Sequence, residues 1–323
     1  MTTRAVVAGV GHYLPDRIVT NAELATRVDT SDEWIRSRSG IERRHVAAEG
    51  QTTSDMAIRA ARAALANAGA DAHSVDAIVV ATSTPDLTFP SVATMVQAGL
   101  GMERGFAFDV QAVCAGFVYA LASAQAMIVA GQAASVLVIG AESFSRLMDW
   151  TDRTTSVLFG DGAGAVLLRA ETGTGTNADR GILACDLHSD GRFKDLLYVD
   201  GGTSTGTTGH LRMQGKEVFR HAVEKLAETA HAALAKAGLD PRDVDWIVPH
   251  QANLRIIAAT AQRMHLPMER VIVTVADHGN TSAASIPLAL SVGVARGQIV
   301  PGQIIVTEAI GGGLAWGSVV LRW

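Results

Sequence analysis

One cysteine of this chain stands where a thiol could act as a nucleophile. Cys114 follows the apolar run FAFDV and opens a long uncharged segment, so the sequence predicts a position between a strand and the start of a helix. Backbone N–H groups and the positive end of the helix dipole would then face the sulfur, which predicts a thiol pKa below the usual ~8.5. The competing interpretation is a small buried hydrophobic residue, as most free cysteines are, and we adopt it for Cys185.

Two further residues carry groups that could assist a thiol. His250 ends the apolar run WIVPH, at the predicted carboxyl end of a strand, where α/β proteins commonly place their sites. Asn280 lies in HGNTSAAS, where it could equally be a turn residue or a helix N-cap. Residue type alone leaves both interpretations of Asn280 open.

An internal repeat organises these residues. The segment AALANAG at Ala63 returns as AALAKAG at Ala232, and VDAIVV returns as VDWIVP, both 169 positions later. Cys114 and Asn280 lie 166 positions apart, and each opens a long segment that is almost free of charged residues and ends in Gly-Gln. GAGAVLLR and AWGSVVLR close the two halves. The chain therefore reads as two copies of one α/β unit, with Cys114 and Asn280 at equivalent turns.

The elements that must position these residues alternate along the chain. Apolar runs such as AIVVAT, SVLVIG, VIVTV and QIIVTEA are typical of strands, and the segments at 52–69 and 215–238 show helical spacing that ends in glycine. Such alternation predicts parallel sheets covered by helices. We therefore predict an α/β fold, a five-layer α/β/α/β/α sandwich of two duplicated halves, residues 1–170 and 171–323, joined by a linker from Glu171 to Gly181.

Composition narrows the class of protein. The 323 residues are 48% hydrophobic and 18% charged, which excludes a disordered chain, and the net charge of −5 argues against a general nucleic-acid binder. Two cysteines make no disulfide framework, and the N-terminus lacks a signal peptide, so we expect a cytoplasmic protein. The uncharged stretch from Val110 to Ala141 is interrupted by polar residues and predicts strand, buried helix and strand rather than a membrane span.

Five motifs together resemble one enzyme family. DTSDEWIRSRSGI, AVCAGF, VPHQANLRI, HGNTSAASIP and GGGLAWGS occur in this order and are similar to β-ketoacyl-acyl-carrier-protein synthase III, the initiating condensing enzyme of bacterial type II fatty acid synthesis. The resemblance covers the chain up to Trp323. It implies a dimer with the thiolase fold and a Cys-His-Asn triad, which by motif position is Cys114, His250 and Asn280.

The resemblance also implies a reaction. The Cys114 thiolate takes an acyl group, acetyl or another short primer, from acyl-CoA, and the N–H groups of Cys114 and Gly312 stabilise the oxyanion. Malonyl-acyl carrier protein then loses CO2, while His250 and Asn280 donate hydrogen bonds to the enolate, and the carbanion attacks the acyl-cysteine. The product is a 3-oxoacyl-acyl carrier protein. Apart from the CoA thioester, which is a substrate, we expect neither cofactor nor metal.

Substrate contacts follow from the same resemblance. Trp34 and Arg153 match residues that bind the CoA adenine, Arg38 another CoA-contacting arginine, and Asn253 a residue near the pantetheine arm. Phe89 matches a residue that reaches the partner subunit's acyl pocket, where a large ring implies a short primer. Three arginines on predicted helices could dock an acidic carrier protein: Arg220, Arg255 and Arg263. Three positions depart from the family pattern: Ile310, where the family has Phe, and Lys216 and Thr154, which replace Asn and Gly.

Two alternative functions stay open at this point. A related condensing enzyme could prime a polyketide or other secondary pathway with the same chemistry and another acyl group. Cys-His-Asn is also a thiol-hydrolase constellation, although papain-like enzymes have Cys-rich chains with the nucleophile near the N-terminus. A carrier-protein-binding homologue without activity would be expected to lack the cysteine or the histidine, and both are present.

Overall fold

Strands and helices alternate along the chain, as the sequence predicts. The structure is a computed structural model that describes all 323 residues. The strands of the first part are β1 (Thr2–Tyr13), β2 (Arg17–Thr20), β3 (Arg43–Val46), β4 (Ala77–Ala81), β5 (Phe106–Val110), β6 (Ser135–Ser143) and β7 (Asp161–Gly173). Its helices are α1 (Asn21–Leu24), α2 (Asp32–Ser39), α3 (Thr53–Asn67), α4 (Val92–Gly99) and α5 (Gly116–Val129).

The second part continues the alternation. Its strands are β8 (Gly181–Ser189), β9 (Leu197–Val199), β10 (Leu211–Met213), β11 (Trp246–Pro249), β12 (Ile304–Gly311) and β13 (Ala315–Arg322). Its helices are α6 (Gly215–Lys236), α7 (Leu254–Arg263), α8 (Val275–His278) and α9 (Ser285–Ala295).

Two sheets repeat one topology. The first has the order β1-β7-β6-β4-β5, with β4 parallel to both neighbours and β7 antiparallel to both of its own. The second has the order β8-β13-β12-β11, with the same directions. Where β5 lies in the first sheet, the second has only an isolated parallel bridge between Ile247 and Val271. The fold therefore confirms the predicted duplication.

Helices α5 and α9 lie between the sheets. Both contact strands of each sheet, whereas α3 covers the outer face of the first sheet and α6 covers that of the second, with α7 packed against α6. The largest hydrophobic cluster joins residues of both sheets to these two helices, among them Phe117 and Leu290. A helix buried on every side needs no polar face, which explains the uncharged stretch that contains α5. No helix of the structure combines the length and hydropathy needed to cross a membrane.

The structure corrects the register of the repeat. Val113 and Ser282 each open a 3-10 turn with a positive φ, 49° and 48°, and they are 169 positions apart. The same offset pairs Cys114 with Ala283 and Asn280 with Gln111, so the two residues lie at equivalent turns, as predicted, but not at equivalent positions within them. The offset of 166 arises later, because α9 has 11 residues and α5 has 14.

Two local predictions also fail. The run VIVTV forms no strand beyond the bridge at Val271, because α8 begins at Val275 and turns the chain toward Asn280. The predicted linker is shorter than expected, since β7 extends to Gly173 and β8 begins at Gly181. The division at residues 170 and 171 stays a proposal.

Candidate active site

Three predicted side chains meet at one cavity. Cys114, His250 and Asn280 all line a pocket of about 390 Å³ that lies between α2, α6 and α7. Each is buried, with 3%, 4% and 5% of its surface exposed. They come from three separate turns at the ends of β5, β11 and α8. The fold thus brings together residues that are 166 positions apart in the sequence.

Cys114 lies in the 3-10 turn Val113–Ala115, directly before α5. Burial raises the pKa of its thiol to about 12, and the nearby Glu142 carboxylate acts in the same direction. The lowered pKa predicted from the helix start is therefore wrong, because the loss of solvent outweighs the favourable backbone N–H groups. The resting sulfur is a thiol.

Two backbone N–H groups beside Cys114 are free to bind an anion. Neither Cys114 N–H nor Gly312 N–H donates to an acceptor elsewhere in the protein. The preceding Gly311 allows this proximity, since a Cβ there would lie only 2.8 Å from the Cys114 nitrogen. The oxyanion hole predicted from these two N–H groups stays a prediction.

His250 is held as a neutral imidazole. Its Nδ1 lies 2.7 Å from the Ser285 hydroxyl, which also accepts the Gln251 N–H at 3.3 Å. The direction of the bond between the two depends on the tautomer of the ring, and a donor at Nε2 requires the Ser285 hydroxyl to donate to Nδ1. Burial lowers the pKa of His250 to about 3. At neutral pH the ring therefore carries one N–H donor and one nitrogen lone pair.

The Asn280 side chain is oriented by its own turn. Its Oδ1 accepts the Ser282 N–H at 2.9 Å, and its backbone bonds to Leu158 O at 2.8 Å and to Gly160 N–H at 2.9 Å. Gly279 before it has a φ of 66°, and a Cβ there would come within 3.0 Å of Leu158 O. These contacts leave Nδ2 without a protein acceptor, as a donor at the cavity.

The predicted CoA contacts cluster at the other end of the same cavity. Trp34, Arg38 and Asn253 line it, whereas Arg153 lies outside the lining with its guanidinium 5.3 Å from the Trp34 ring. Asn253 is also the N-cap of α7, because its Oδ1 accepts the Ile256 N–H at 2.9 Å. An aromatic ring that enters between Trp34 and Arg153 must displace the arginine from this stack.

Cys114 also borders a second cavity. This space, of about 1060 Å³, extends from the sulfur past Thr84, Gln111 and Leu147. Phe89 lies on the loop beside it, with 82% of its surface exposed. The thiol therefore separates a narrow cavity that holds His250 and Asn280 from a wider one on its other side.

The three predicted docking arginines differ in their surroundings. Arg220 pairs with Glu217 at 2.7 Å, whereas Arg255 and Arg263 have no carboxylate partner. Arg255 lines the cavity and lies 5.5 Å from the Phe219 ring, and Arg263 is exposed in the last turn of α7. The three departures from the family pattern, Ile310, Lys216 and Thr154, all line the same cavity.

The structure adds three residues that sequence reasoning did not select. Ser285 bonds to His250 Nδ1, and the Ser282 hydroxyl donates to the Glu142 carboxylate. Both serines lie inside the HGNTSAASIP motif, and Glu142 is the first charged residue after the uncharged stretch. These two features of the sequence could have indicated all three residues. No group of three or more His, Cys, Asp or Glu side chains lies close enough together to hold a metal ion.

Comparisons with family models place the chain among condensing enzymes. Residues 108–191 match the model described as 3-Oxoacyl-[acyl-carrier-protein (ACP)] synthase III, and residues 234–323 match the model of its C terminal part. Beta-ketoacyl-[acyl-carrier-protein] synthase III of Cereibacter sphaeroides is 79% identical, and that of Rhodobacter capsulatus is 77% identical. Both alignments cover 100% of each chain.

Solved structures agree with this placement. The crystal structure of 3-oxoacyl-[acyl-carrier-protein] synthase III from Aquifex aeolicus VF5 superimposes with a TM-score of 0.94 at 44% identity, over 99% of this chain and 100% of that chain. The priming β-ketosynthase of the R1128 polyketide pathway superimposes with a TM-score of 0.92 at 36% identity, over 99% and 96%.

Proposed function

Because the chain belongs to the β-ketoacyl-[acyl-carrier-protein] synthase III family, we propose that it condenses an acyl-CoA primer with malonyl-acyl carrier protein to give a 3-oxoacyl-acyl carrier protein. The observation that carries this proposal is one buried cavity lined by a thiol, a neutral imidazole and an amide donor: Cys114, His250 and Asn280. The 79% identity to a synthase III, against 36% to a polyketide-priming enzyme, favours the initiating step of fatty acid synthesis. A thiol hydrolase is not favoured.

In the first half-reaction Cys114 takes the acyl group. Its sulfur attacks the thioester carbonyl of acyl-CoA, and the two unused N–H groups of Cys114 and Gly312 stabilise the oxyanion. Coenzyme A leaves along the cavity past Asn253, Arg38 and Trp34. Arg153 moves off the Trp34 ring to admit the adenine.

In the second half-reaction the same site makes a carbon nucleophile. Malonyl-acyl carrier protein loses CO2, and charge develops on its thioester oxygen. His250 Nε2–H and Asn280 Nδ2 are donors that exist before that charge appears, so they lower the barrier without a general base. The carbanion attacks the acyl-cysteine and releases the thiolate. Protein groups and two thioester substrates suffice for this sequence, so no cofactor is proposed.

A direct product assay tests the function and the primer preference. We expect purified protein, malonyl-acyl carrier protein and acetyl-CoA to yield acetoacetyl-acyl carrier protein, measured as the intact carrier protein by mass spectrometry. Rates with longer acyl-CoAs should fall because Phe89 limits the acyl pocket, and Phe89→Ala should raise the rate with hexanoyl-CoA relative to acetyl-CoA. Free acid without condensed product would indicate a hydrolase, and an unchanged ratio in Phe89→Ala would remove Phe89 from primer selection.

A homodimer fits the exposed features around Phe89. Leu87 is 55% exposed and Phe106 is 42% exposed, and β5, which begins at Phe106, is an edge strand with a free side. Free edges with apolar side chains invite pairing with a second chain. We propose that two copies pair along β5, so that Phe89 of each reaches the acyl pocket of the other. We also propose that the protein works in the cytoplasm.

The carrier protein is expected to dock beside α7. This chain is net acidic, so an acidic partner needs a local cationic surface, which Arg255 and Arg263 offer without a competing carboxylate. Arg255→Glu should raise the KM for malonyl-acyl carrier protein several-fold and weaken its dependence on salt, while acylation by acyl-CoA stays nearly unchanged.

A charge-matched control is available for this test. Arg242→Glu changes the same charge before the amino end of β11, at the opposite end of that strand from His250, and should leave the KM unchanged. An unchanged KM in Arg255→Glu would mean that the carrier protein docks elsewhere. A parallel loss of acylation would assign Arg255 to the CoA tunnel instead.

A further inference from the structure

A buried arginine lies behind the turn that carries Asn280. Arg44, on β3, is fully buried and donates three hydrogen bonds. Its Nη1 donates to Val19 O at 3.2 Å and to Asn21 Oδ1 at 2.9 Å, and its Nη2 donates to Val157 O at 2.7 Å. None of these acceptors is a carboxylate. Arg44 is therefore a buried cation held by neutral oxygen atoms.

The positive charge of Arg44 persists in this environment. Burial lowers the pKa of its guanidinium to about 10, so the group stays protonated at neutral pH. Hydrogen bonds from a charged donor are stronger than those between neutral groups, so the bond to Val157 O is a firm attachment. Asn21 is itself fixed, since its Nδ2 donates to Ile41 O at 2.7 Å and to Asp32 Oδ1 at 2.9 Å. The guanidinium therefore joins Val157 to a fixed part of the fold.

The segment that Arg44 binds also holds the backbone of Asn280. The Asn280 N–H donates to Leu158 O at 2.8 Å, and the Gly160 N–H donates to Asn280 O at 2.9 Å. Phe159 and Asn280 thus form an isolated parallel bridge. The carbonyl that accepts the Arg44 Nη2 bond belongs to the residue directly before Leu158. Arg44 therefore holds one side of this bridge, and Asn280 forms the other side.

The Arg44 side chain also packs against both sides of the bridge. A Cβ added to Gly279 would lie 3.0 Å from the Arg44 Cβ, and a Cβ added to Gly160 would lie 3.0 Å from the same atom. The absence of a side chain at both positions lets the arginine approach this closely. Its stem contacts the residue before Asn280, while its guanidinium binds the opposite segment. Arg44 therefore fixes the bridge from which the Asn280 amide reaches the cavity.

We propose that Arg44 is a positioning residue for the Asn280 amide. Arg44 lines neither cavity, so it does not touch the substrate and acts through the bridge that it holds. A donor to the enolate is effective only when it is aimed before the charge appears, and a small displacement of such a group costs much of the rate. This inference rests on the proposed function, in which Asn280 serves condensation more than acyl transfer.

Separate measurements of the two half-reactions test this role. In Arg44→Gln, condensation, measured as 3-oxoacyl-acyl carrier protein, should slow by roughly 10-fold, because the Asn280 amide is displaced but not removed. Acylation of Cys114 by radiolabelled acetyl-CoA should stay near the wild-type rate. A residue that only stabilised the fold would lower both rates together. An equal fall in acylation and condensation would therefore overturn the inference.

A double-mutant cycle measures whether Arg44 acts through Asn280. The Asn280→Ala variant has no amide to position, so the addition of Arg44→Gln should slow condensation no further. Losses that multiply in the double variant would mean that Arg44 acts independently of Asn280, contrary to the inference. Arg43→Gln is the matched control, because Arg43 is the neighbouring residue on β3 and pairs with Asp277 of α8 at the surface, at 2.6 Å. It should leave both half-reactions unchanged.

The outcomes separate this inference from the proposed function. Condensation at the wild-type rate in Arg44→Gln, together with slow condensation in Asn280→Ala, would overturn the role of Arg44 alone. Condensation at the wild-type rate in Asn280→Ala would overturn the proposed role of that amide as well. Should Arg44→Gln fail to fold by circular dichroism, Arg44→Lys takes its place in the cycle, since its single nitrogen replaces the two that bind Val157 and Asn21. A wild-type rate of condensation in Arg44→Lys would then contradict the inference.

Discussion

Cys114→Ser is expected to take up no acyl group from radiolabelled acetyl-CoA, whereas the wild-type protein is labelled once per chain. The serine hydroxyl has a far higher pKa than a thiol and is a weaker nucleophile. The measurement is protein-bound radioactivity after rapid removal of free acetyl-CoA.

The second cysteine serves as the control for this labelling. Cys185 lies on β8 with its Sγ 2.9 Å from Gln125 Oε1, and it lines neither cavity at Cys114. Cys185→Ser should therefore be labelled like the wild type. Equal labelling of Cys114→Ser and wild type would reject Cys114 as the acylated residue. Loss of label only in Cys185→Ser would identify Cys185 as the acylated residue instead.

His250→Ala and Asn280→Ala are expected to separate the two half-reactions. Each variant removes one donor to the developing enolate, and the loss of such a donor typically slows a reaction by about 10²–10³. Acylation of Cys114 should persist, because its oxyanion is held by the N–H groups of Cys114 and Gly312. Condensation is measured as 3-oxoacyl-acyl carrier protein, and acylation as label bound to the protein.

The double variant and a control sharpen this test. Both donors serve one oxygen, so the double variant should lose less than the product of the two single losses. His231→Ala, at an exposed position on α6, removes a histidine away from the cavity and should condense at the wild-type rate. If acylation and condensation fell equally in His250→Ala, the proposed division of labour would be wrong.

The neutral state of His250 gives this division its physical basis. A protonated imidazole would pair with the malonyl carboxylate and retain it, whereas a neutral Nε2–H stabilises the charge that appears on the thioester oxygen as CO2 leaves. Burial lowers the pKa of His250 to about 3, so the donor is present at every pH where the protein is assayed. Acid inactivation through His250 is therefore expected only far below neutral pH.

The sequence by itself determined the type of fold and the candidates for the reacting residues. Apolar runs and helical spacing predicted the alternation of elements, because side-chain burial on sheets and helices follows the local period of the chain. The motifs around Cys114, His250 and Asn280 predicted three residues that the structure brings to one cavity. These features depend on short segments, which a sequence shows directly.

Only the tertiary structure decided how those residues are positioned and how burial changes their pKa values. The repeat in the sequence pairs Cys114 with Asn280, but the backbone pairs Cys114 with Ala283, because helices of unequal length shift the register afterwards. The helix start predicted an acidic thiol, whereas burial between two sheets raises its pKa. The hydrogen bonds of His250 and Glu142 join residues 35 and 140 positions apart in the sequence, Ser285 with His250 and Ser282 with Glu142. Desolvation and long-range hydrogen bonds exist only after the two halves have packed together. Local sequence patterns therefore do not predict them.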